Sequence, residues 1–247
     1  MAEDVARKRG GLLGGIAGIV LLFTVLAILL SLGTWQVQRL HWKEALLAEI
    51  DQRRHAPPAD LATIEALAKQ GGDVDYRTMR VTGAYINNKE RHFFATYEGR
   101  TGYYIYTPLQ RADGRILFVN RGFVPFENKE PEMRKLGQLT GEQTVTGLAR
   151  AKLAAKPSWV VPDNDIVKNI FYWKDLDVMA SSTGLDPASV VPFFMDADAT
   201  PHEGGMPIGG VTQFDLPNSH LQYAVTWYGL AAALVVVSGL FIFRRKT

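Results

Sequence analysis

Two short groups of residues combine a polar side chain with aromatic rings at helical spacing. At about 3.6 residues per turn, the members of each group fall on one face of a helix. One group is His220, Tyr223, Ala224 and Trp227, and the other is Trp35, Arg39 and Trp42. If the two faces meet, an imidazole, a guanidinium and several aromatic rings line a single pocket.

Such a pocket has the chemistry needed to hold an iron porphyrin. The imidazole of His220 can ligate the iron, and the guanidinium of Arg39 can pair with a porphyrin propionate. The rings of Trp35, Tyr223 and Trp227 can cover the macrocycle. A second interpretation stays open, in which the aromatic residues anchor the chain at a membrane surface, Arg39 reaches lipid phosphate, and His220 is an ordinary polar residue of a first helical turn.

Most other functional chemistry is missing from the sequence. The 247 residues include no cysteine, which excludes disulfide bonds, thiolate metal sites and cysteine nucleophiles. The histidines never occur in pairs at metal-ligand spacing, and the sequence has no phosphate-binding glycine loop or nucleophile elbow. We therefore predict that the protein is not an enzyme. The net charge of +2 arises from scattered residues, so we also expect no nucleic-acid partner.

Two long apolar stretches predict membrane-spanning helices, which makes the lipid bilayer a partner of the chain. Residues 10–38 and 218–243 carry no charged side chain and are long enough to cross roughly 30 Å of bilayer hydrocarbon. The first stretch exceeds the apolar part of a signal peptide and lacks a small-residue cleavage site, so we interpret it as a retained anchor. Small residues in both stretches, including Gly14 and Gly18, indicate that the two helices lie side by side.

Basic residues at the outer flanks of these stretches predict the orientation. Residues 7–9 are Arg, Lys and Arg, and residues 244–246 are Arg, Arg and Lys. The positive-inside rule then places both termini in the cytoplasm and the central segment outside. The predicted organisation is a cytoplasmic tail (1–9), a first transmembrane helix (10–38), an exported β-rich domain (39–217), a second transmembrane helix (218–243) and a cytoplasmic tail (244–247).

The central segment has the pattern of a mostly antiparallel β domain of the α+β class. Five turn-separated stretches are rich in β-branched and aromatic residues: RTMRVTGAY, RHFFATY, GYYIYTPL, RILFVNRGFVP and QTVTGLAR. Asp113 and Gly114 predict a hairpin turn. Helices are expected before Pro57, from Asp60, and from Asp175, with VVPFFMD as a last strand and PHEGGMPIGG as an ordered loop. The fold class is therefore a membrane protein with a two-helix transmembrane hairpin flanking this domain.

Several segments resemble, in order along the chain, those of the surfeit locus protein 1 family. They are GTWQVQRLHWK, DYRTMRVTGAY, GYYIYTPL, LFVNRGFVP, VPDND, PIGG and NSHLQYAVTWYGLAAA. The resemblance covers nearly the whole chain, including both apolar stretches. It implies a factor that assists assembly of cytochrome c oxidase, in its haem a and copper containing catalytic subunit.

For bacterial members the resemblance also implies binding of haem a with participation of a histidine, which maps onto His220. The implied partners are the oxidase catalytic subunit and the machinery that makes haem a. The basic N-terminal residues and the lack of an Arg- and Ser-rich presequence favour a bacterial inner membrane protein with a periplasmic domain. The alternative function is a membrane scaffold that stabilises an oxidase assembly intermediate and binds no haem.

Overall fold

The computed structural model describes residues 2–214 and 217–244, with side chains described from Ile16 onward. The chain divides into two compact units. One holds the described residues up to Glu49 and from Pro217 onward, and the other is Ile50–Phe214. The predicted basic flanks at 7–9 and 245–246 lie outside the residues whose side chains are described.

Four helices and seven strands make up the regular structure of the described residues. The helices are α1 (Ala2–His55), α2 (Leu61–Lys69), α3 (Leu176–Ser181) and α4 (His220–Arg244). The strands are β1 (Thr78–Tyr85), β2 (Arg91–Tyr97), β3 (Arg100–Gln110), β4 (Ile116–Pro125), β5 (Glu142–Ala151), β6 (Ile170–Phe171) and β7 (Val190–Ala197). Short 3-10 turns occur at Asn87–Lys89, Phe126–Asn128, Pro131–Gly137 and Pro187–Ser189.

Helices α1 and α4 are the two long apolar helices expected from the sequence. Their most apolar 18-residue windows have mean hydropathies of 2.7 and 2.0, and only 6% of each window is buried. Apolar side chains that remain this exposed in a folded chain are typical of lipid-facing surfaces. Helix α1 also continues past the predicted span and ends at His55, just before Pro57, as the sequence predicts.

The two long helices contact each other, which confirms the prediction that they are neighbours. The Tyr228 and Thr34 hydroxyl oxygens lie 3.1 Å apart, and a Cβ on Gly33 would lie 2.8 Å from the Tyr228 ring. Gly33 therefore allows the ring to pack directly against the α1 backbone. Gly18 does not take part in this contact, because a Cβ at Gly18 would meet open space. Gly14, the other small residue named in the prediction, lies outside the residues whose side chains are described.

The β domain, within Ile50–Phe214, contains a closed ring of five strands. The sheet order is β1-β5-β7-β4-β3-β2-β6, and β3 pairs again with β1 at Ala84↔Gln110 and Tyr85↔Leu109. Most pairings are antiparallel, which confirms the predicted class. The pairings of β4 with β7 and of β2 with β6 are parallel and were not predicted, because residue composition identifies a strand but not the direction of its neighbour.

Apolar side chains fill the ring and cover one outer face. Every strand of the ring contributes to the inner cluster, and α2 adds residues to it: Leu61, Ile64, Met79, Val81, Leu109, Leu117, Val119, Ala149, Val191, Phe193 and Met195. A second cluster packs the outer face against α3: Tyr106, Phe118, Phe171, Leu176, Met179, Ala180 and Phe194. Strand β4 is buried over its whole length because alternate side chains enter the two clusters.

The predicted helix caps, hairpin turn and ordered loop are all present in the structure. The Asp60 carboxylate accepts from the Thr63 amide (2.8 Å) and the Asp175 carboxylate from the Val178 amide (3.1 Å), so both predicted N-caps are confirmed. Gly114 has φ of +84°, as the tight turn between β3 and β4 requires. The loop of residues 201–210 is held by two Phe123–Ile208 backbone hydrogen bonds of 2.8 Å each, which confirms an ordered loop.

Candidate functional site

His220 is the first residue of α4, where the helix geometry leaves polar groups without intrahelical partners. Its backbone amide donates to the Asn218 side-chain oxygen at 3.4 Å, and the Tyr223 amide donates to the Ser219 carbonyl at 3.2 Å. The side chain of His220 is partly buried. The start of the helix therefore holds the backbone of His220 and leaves its imidazole available for contacts with other elements.

The imidazole of His220 contacts α1 through Gln36. The His220 Nδ1 and Gln36 Oε1 atoms are 2.7 Å apart, and Gln36 is only 9% exposed. The amide oxygen can only accept, so Nδ1 carries the hydrogen and donates it. In a neutral imidazole the second nitrogen, Nε2, then keeps its lone pair. His220 is thereby held in the tautomer that can ligate a metal through Nε2.

The other predicted site residues lie near this contact along the two helices. On α1, the Arg39 guanidinium lies 4.2 Å from the centre of the Trp42 ring, a cation–π contact, and Trp35 is 51% exposed. On α4, Tyr223 is also about half exposed and Trp227 is partly buried. The structure therefore joins His220 to α1 through Gln36 and pairs Arg39 with Trp42. Binding of haem by this set stays a prediction.

Gln36 was missed by the sequence analysis. It lies one residue from Trp35, and the predicted helix face passed through Trp35 and Arg39 instead. The signal that could have identified Gln36 is its spacing of three residues from Gly33, because a small residue often marks where another helix approaches. Gly33 and Gln36 are both buried and both meet residues of α4.

The described residues do not form a cluster that could hold a bare metal ion. Among the described residues, no three His, Asp or Glu side chains come together as a potential metal site. A bare metal ion needs several protein ligands, whereas the iron of a porphyrin already has four nitrogen ligands and needs one or two from the protein. A lone imidazole with a free Nε2 thus fits haem iron and does not fit a structural metal ion.

Comparison with known proteins identifies the family. Residues 23–232 match the SURF1 family, a range that includes Gln36, His220 and all the predicted site residues. The chain belongs to the SURF1 family. The resemblance inferred from the sequence motifs is therefore confirmed.

Individual SURF1 family members are similar over most of their length. Surfeit locus protein 1 of Rattus norvegicus is 39% identical over 219 residues, covering 82% of this chain and 68% of that protein. The Homo sapiens protein of the same name is 38% identical over 232 residues, covering 87% and 73%. A SURF1-like protein of Monosiga brevicollis is 33% identical over 255 residues, covering 98% and 90%.

Proposed function

We propose that this protein assists the assembly of cytochrome c oxidase and binds haem a through His220. Family membership supports the role in assembly. The observation that carries the haem proposal is the hydrogen bond from His220 Nδ1 to Gln36, which leaves Nε2 free to bind iron. Haem a is the cargo in this proposal and the protein performs no catalytic step.

Each predicted site residue has a defined part in the proposal. His220 provides the bond to iron, and Gln36 holds the imidazole in the required tautomer. Arg39 provides a positive charge for a propionate, at a position where its guanidinium already lies over Trp42. The exposed aromatic surfaces of Trp35 and Tyr223, with Trp227, cover the macrocycle.

The proposal also includes a location and partners. We place the protein in the bacterial inner membrane, with α1 and α4 as its two spans, both termini in the cytoplasm and the β domain in the periplasm. The proposed partners are the catalytic subunit of the oxidase and the enzymes that produce haem a. At this location a loaded protein could pass haem a to the membrane-embedded subunit.

The direct test is the absorption spectrum of the full-length protein purified from cells that make haem a. We expect a haem a spectrum for the wild type and its loss in His220→Ala, together with impaired oxidase maturation. Arg39→Ala should weaken haem retention less, because a propionate contact adds hydrogen bonds but no iron bond. His41→Ala is the matched control, since His41 is exposed on α1, and it should keep the spectrum.

One result would contradict the identity of the haem ligand, and another would contradict haem binding itself. Full haem occupancy with an unchanged spectrum in His220→Ala would exclude His220 as the ligand. A wild-type protein free of haem, in cells where its deletion blocks oxidase assembly, would instead support the scaffold function. Circular dichroism of each variant checks that the helices remain folded, as expected for a change at the first residue of α4.

A further inference from the structure

A β-bulge in β4 changes the direction of Arg121. Along the β3–β4 pair, Tyr104 pairs with Phe123 and Tyr106 with Asn120, so β4 contains one extra residue in this interval. Gly122, within the interval, has φ of +123°, which strongly favours glycine. Bulges commonly redirect a side chain that regular pairing would place elsewhere. The extra residue therefore gives Arg121 an orientation that a regular strand would not.

The guanidinium of Arg121 is buried and forms no direct ion pair with the described side chains. Arg121 is 4% exposed, and its Nη2 donates to the Gly137 carbonyl. Its Nη1 has no hydrogen-bond partner, and no carboxylate among the described side chains forms an ion pair with it. Burial lowers the pKa of Arg121, while the nearby Tyr85 hydroxyl and Glu90 carboxylate act in the opposite direction. An arginine stays charged in proteins, and the nearby Glu90 carboxylate is already paired with Arg134, so the buried charge of Arg121 is compensated only in part.

Arg121 lines a cavity of about 380 Å³ in the β domain. The Tyr85 ring, whose centre lies 4.5 Å from the guanidinium carbon of Arg121, lines it too. Other polar side chains around the cavity are Arg80, Gln143, Thr144, Thr146, Asp198, Thr200 and His202. The two arginines outnumber the single carboxylate, so the formal charge of the lining favours an anion.

His202 also lines the cavity. Its Nδ1 lies 2.9 Å from the Glu203 carbonyl oxygen and its Nε2 lies 2.8 Å from the Pro207 carbonyl oxygen. Both ring nitrogens thus face carbonyl oxygens of the loop of residues 201–210 itself, and in a neutral imidazole only one of them carries a hydrogen to donate. Arg80 is an exposed residue of the lining, and its side chain makes a long 3.4 Å contact from Nε to the Thr146 hydroxyl. It is therefore free to reach toward a ligand in the cavity.

We infer that this cavity binds a small organic anion through a carboxylate or phosphate group that pairs with Arg121. The planar guanidinium suits either group, because both offer two oxygen acceptors. Burial raises the pKa of Tyr85 to about 12, so its hydroxyl remains a hydrogen-bond donor to the anion at neutral pH. The cavity volume falls within the range of small-molecule sites. This site involves none of the residues proposed for haem.

The test is titration calorimetry of the full-length protein in detergent, with inorganic phosphate and succinate as separate probes at constant ionic strength. We expect saturable binding of at least one probe. Arg121→Gln should weaken it by about tenfold to a hundredfold, because a charged hydrogen-bond partner is lost. Arg80→Ala should weaken it less. Arg100→Ala is the matched control, since Arg100 is exposed and paired with Glu127 at 3.1 Å.

The two probes distinguish the two sources of the acidic group. Binding of phosphate alone identifies a phosphate ligand, and binding of succinate alone identifies a carboxylate ligand. The inference is overturned if neither probe binds saturably, or if Arg121→Gln binds like the wild type. If Arg121→Gln fails to fold, the Arg80→Ala variant serves as the test instead. The inference is then overturned if Arg80→Ala binds the probe with the same affinity as the control Arg100→Ala.

Discussion

At the scale of single residues, the contact between His220 and Gln36 carries the most functional information. An isolated histidine at a helix start has two tautomers and no fixed ring orientation. The 2.7 Å hydrogen bond to a buried amide selects one tautomer and limits rotation of the ring. Outer-shell partners of this kind typically change metal affinity by about tenfold to a hundredfold.

We therefore predict that Gln36→Leu weakens retention of haem a by about tenfold or more, because Nδ1 loses its acceptor. Gln36→Glu keeps an acceptor oxygen and should retain binding, with a shifted spectrum because a carboxylate makes the imidazole a stronger donor to iron. The measurement is haem titration followed by absorption. Gln38→Leu, at an exposed position on the same helix, is the control and should bind normally. Equal affinities of the Leu variants at 36 and 38 would contradict the role of Gln36.

The candidate site could be predicted from the sequence only in part. His220 can be identified from the sequence because few side chains can ligate iron as an imidazole does. The aromatic residues can be identified because their helical spacing is apparent in the sequence. Gln36 could not be assigned, because an amide has no distinctive chemistry until the residue facing it is known. Arg121 was overlooked for a related reason, since its burial depends on a bulge that residue composition does not specify.

At the scale of elements, a buried ionic cluster links β2 to the turn at Pro131–Gly137. The Glu90 carboxylate contacts His92 Nε2 at 2.8 Å and also pairs with Arg134, and all three residues are almost completely buried. Burial by itself raises the pKa of Glu90, but the hydrogen bonds from His92 and Arg134 outweigh it and hold the pKa below its usual value. The charged form of Glu90 therefore stabilises the fold.

The sign of the pH dependence follows from this lowered pKa. The unfolded chain takes up a proton at Glu90 at a higher pH than the folded chain, so the contribution to stability is lost as the pH falls below about 4.5. We predict that Glu90→Gln lowers the free energy of unfolding by about 3–5 kcal/mol at pH 7, because Arg134 loses its charged partner. It should also reduce the dependence of Tm on pH in the acid range.

Thermal unfolding at pH 7 and pH 4 checks both parts of the prediction. Glu142→Gln serves as the control, because Glu142 is exposed at the start of β5, and it should leave the Tm and its pH dependence nearly unchanged. A Glu90→Gln variant that matches this control at both pH values would show that the cluster does not contribute to stability.

Close approach of β3 and β4 gives a second prediction at this scale. A Cβ on Gly102 would collide with the Val124 carbonyl oxygen and lie 2.7 Å from Cζ of Phe123. We predict that Gly102→Glu destabilises the β domain by about 3 kcal/mol or more, since backbone cannot move aside cheaply. Protease resistance and steady-state abundance measure the effect. Thr101→Glu, exposed on the same strand, should be tolerated, and equal resistance of the two variants would refute the steric argument.

The strands themselves could largely be predicted from the sequence, because β-branched and aromatic residues are concentrated between glycines and charged turns. RHFFATY coincides with β2, and GYYIYTPL lies within β3. The sequence did not predict the ring closure of β1 on β3 or the parallel pairing of β7 with β4. Both depend on contacts between residues that are far apart in the sequence. Local patterns thus predicted the strands and the mostly antiparallel class, but not the two parallel pairings or the closure of the ring.

At the scale of the whole molecule, the sequence determines the two-span organisation through segregation of apolar residues. The β domain keeps its apolar side chains in two internal clusters, whereas α1 and α4 expose theirs. Exposed residues such as Phe23, Val236 and Phe241 would be unfavourable in water and are favourable in a lipid bilayer. This contrast supports two membrane spans more strongly than the length of either helix.

The last prediction concerns the orientation of these spans. With basic residues at 7–9 and 244–246, the positive-inside rule predicts that both termini remain in the cytoplasm. A reporter active only in the periplasm should be silent when fused after Thr247 and active when inserted beside Trp159, which is 91% exposed in the β domain. Replacing the basic residues at 244–246 with glutamine should raise the activity of the C-terminal fusion, because it removes the charge that opposes translocation. Two spans keep both termini on the same side of the membrane, which is predicted to be the cytoplasm. Full activity of the C-terminal fusion in the wild type would place that terminus in the periplasm and contradict the predicted topology.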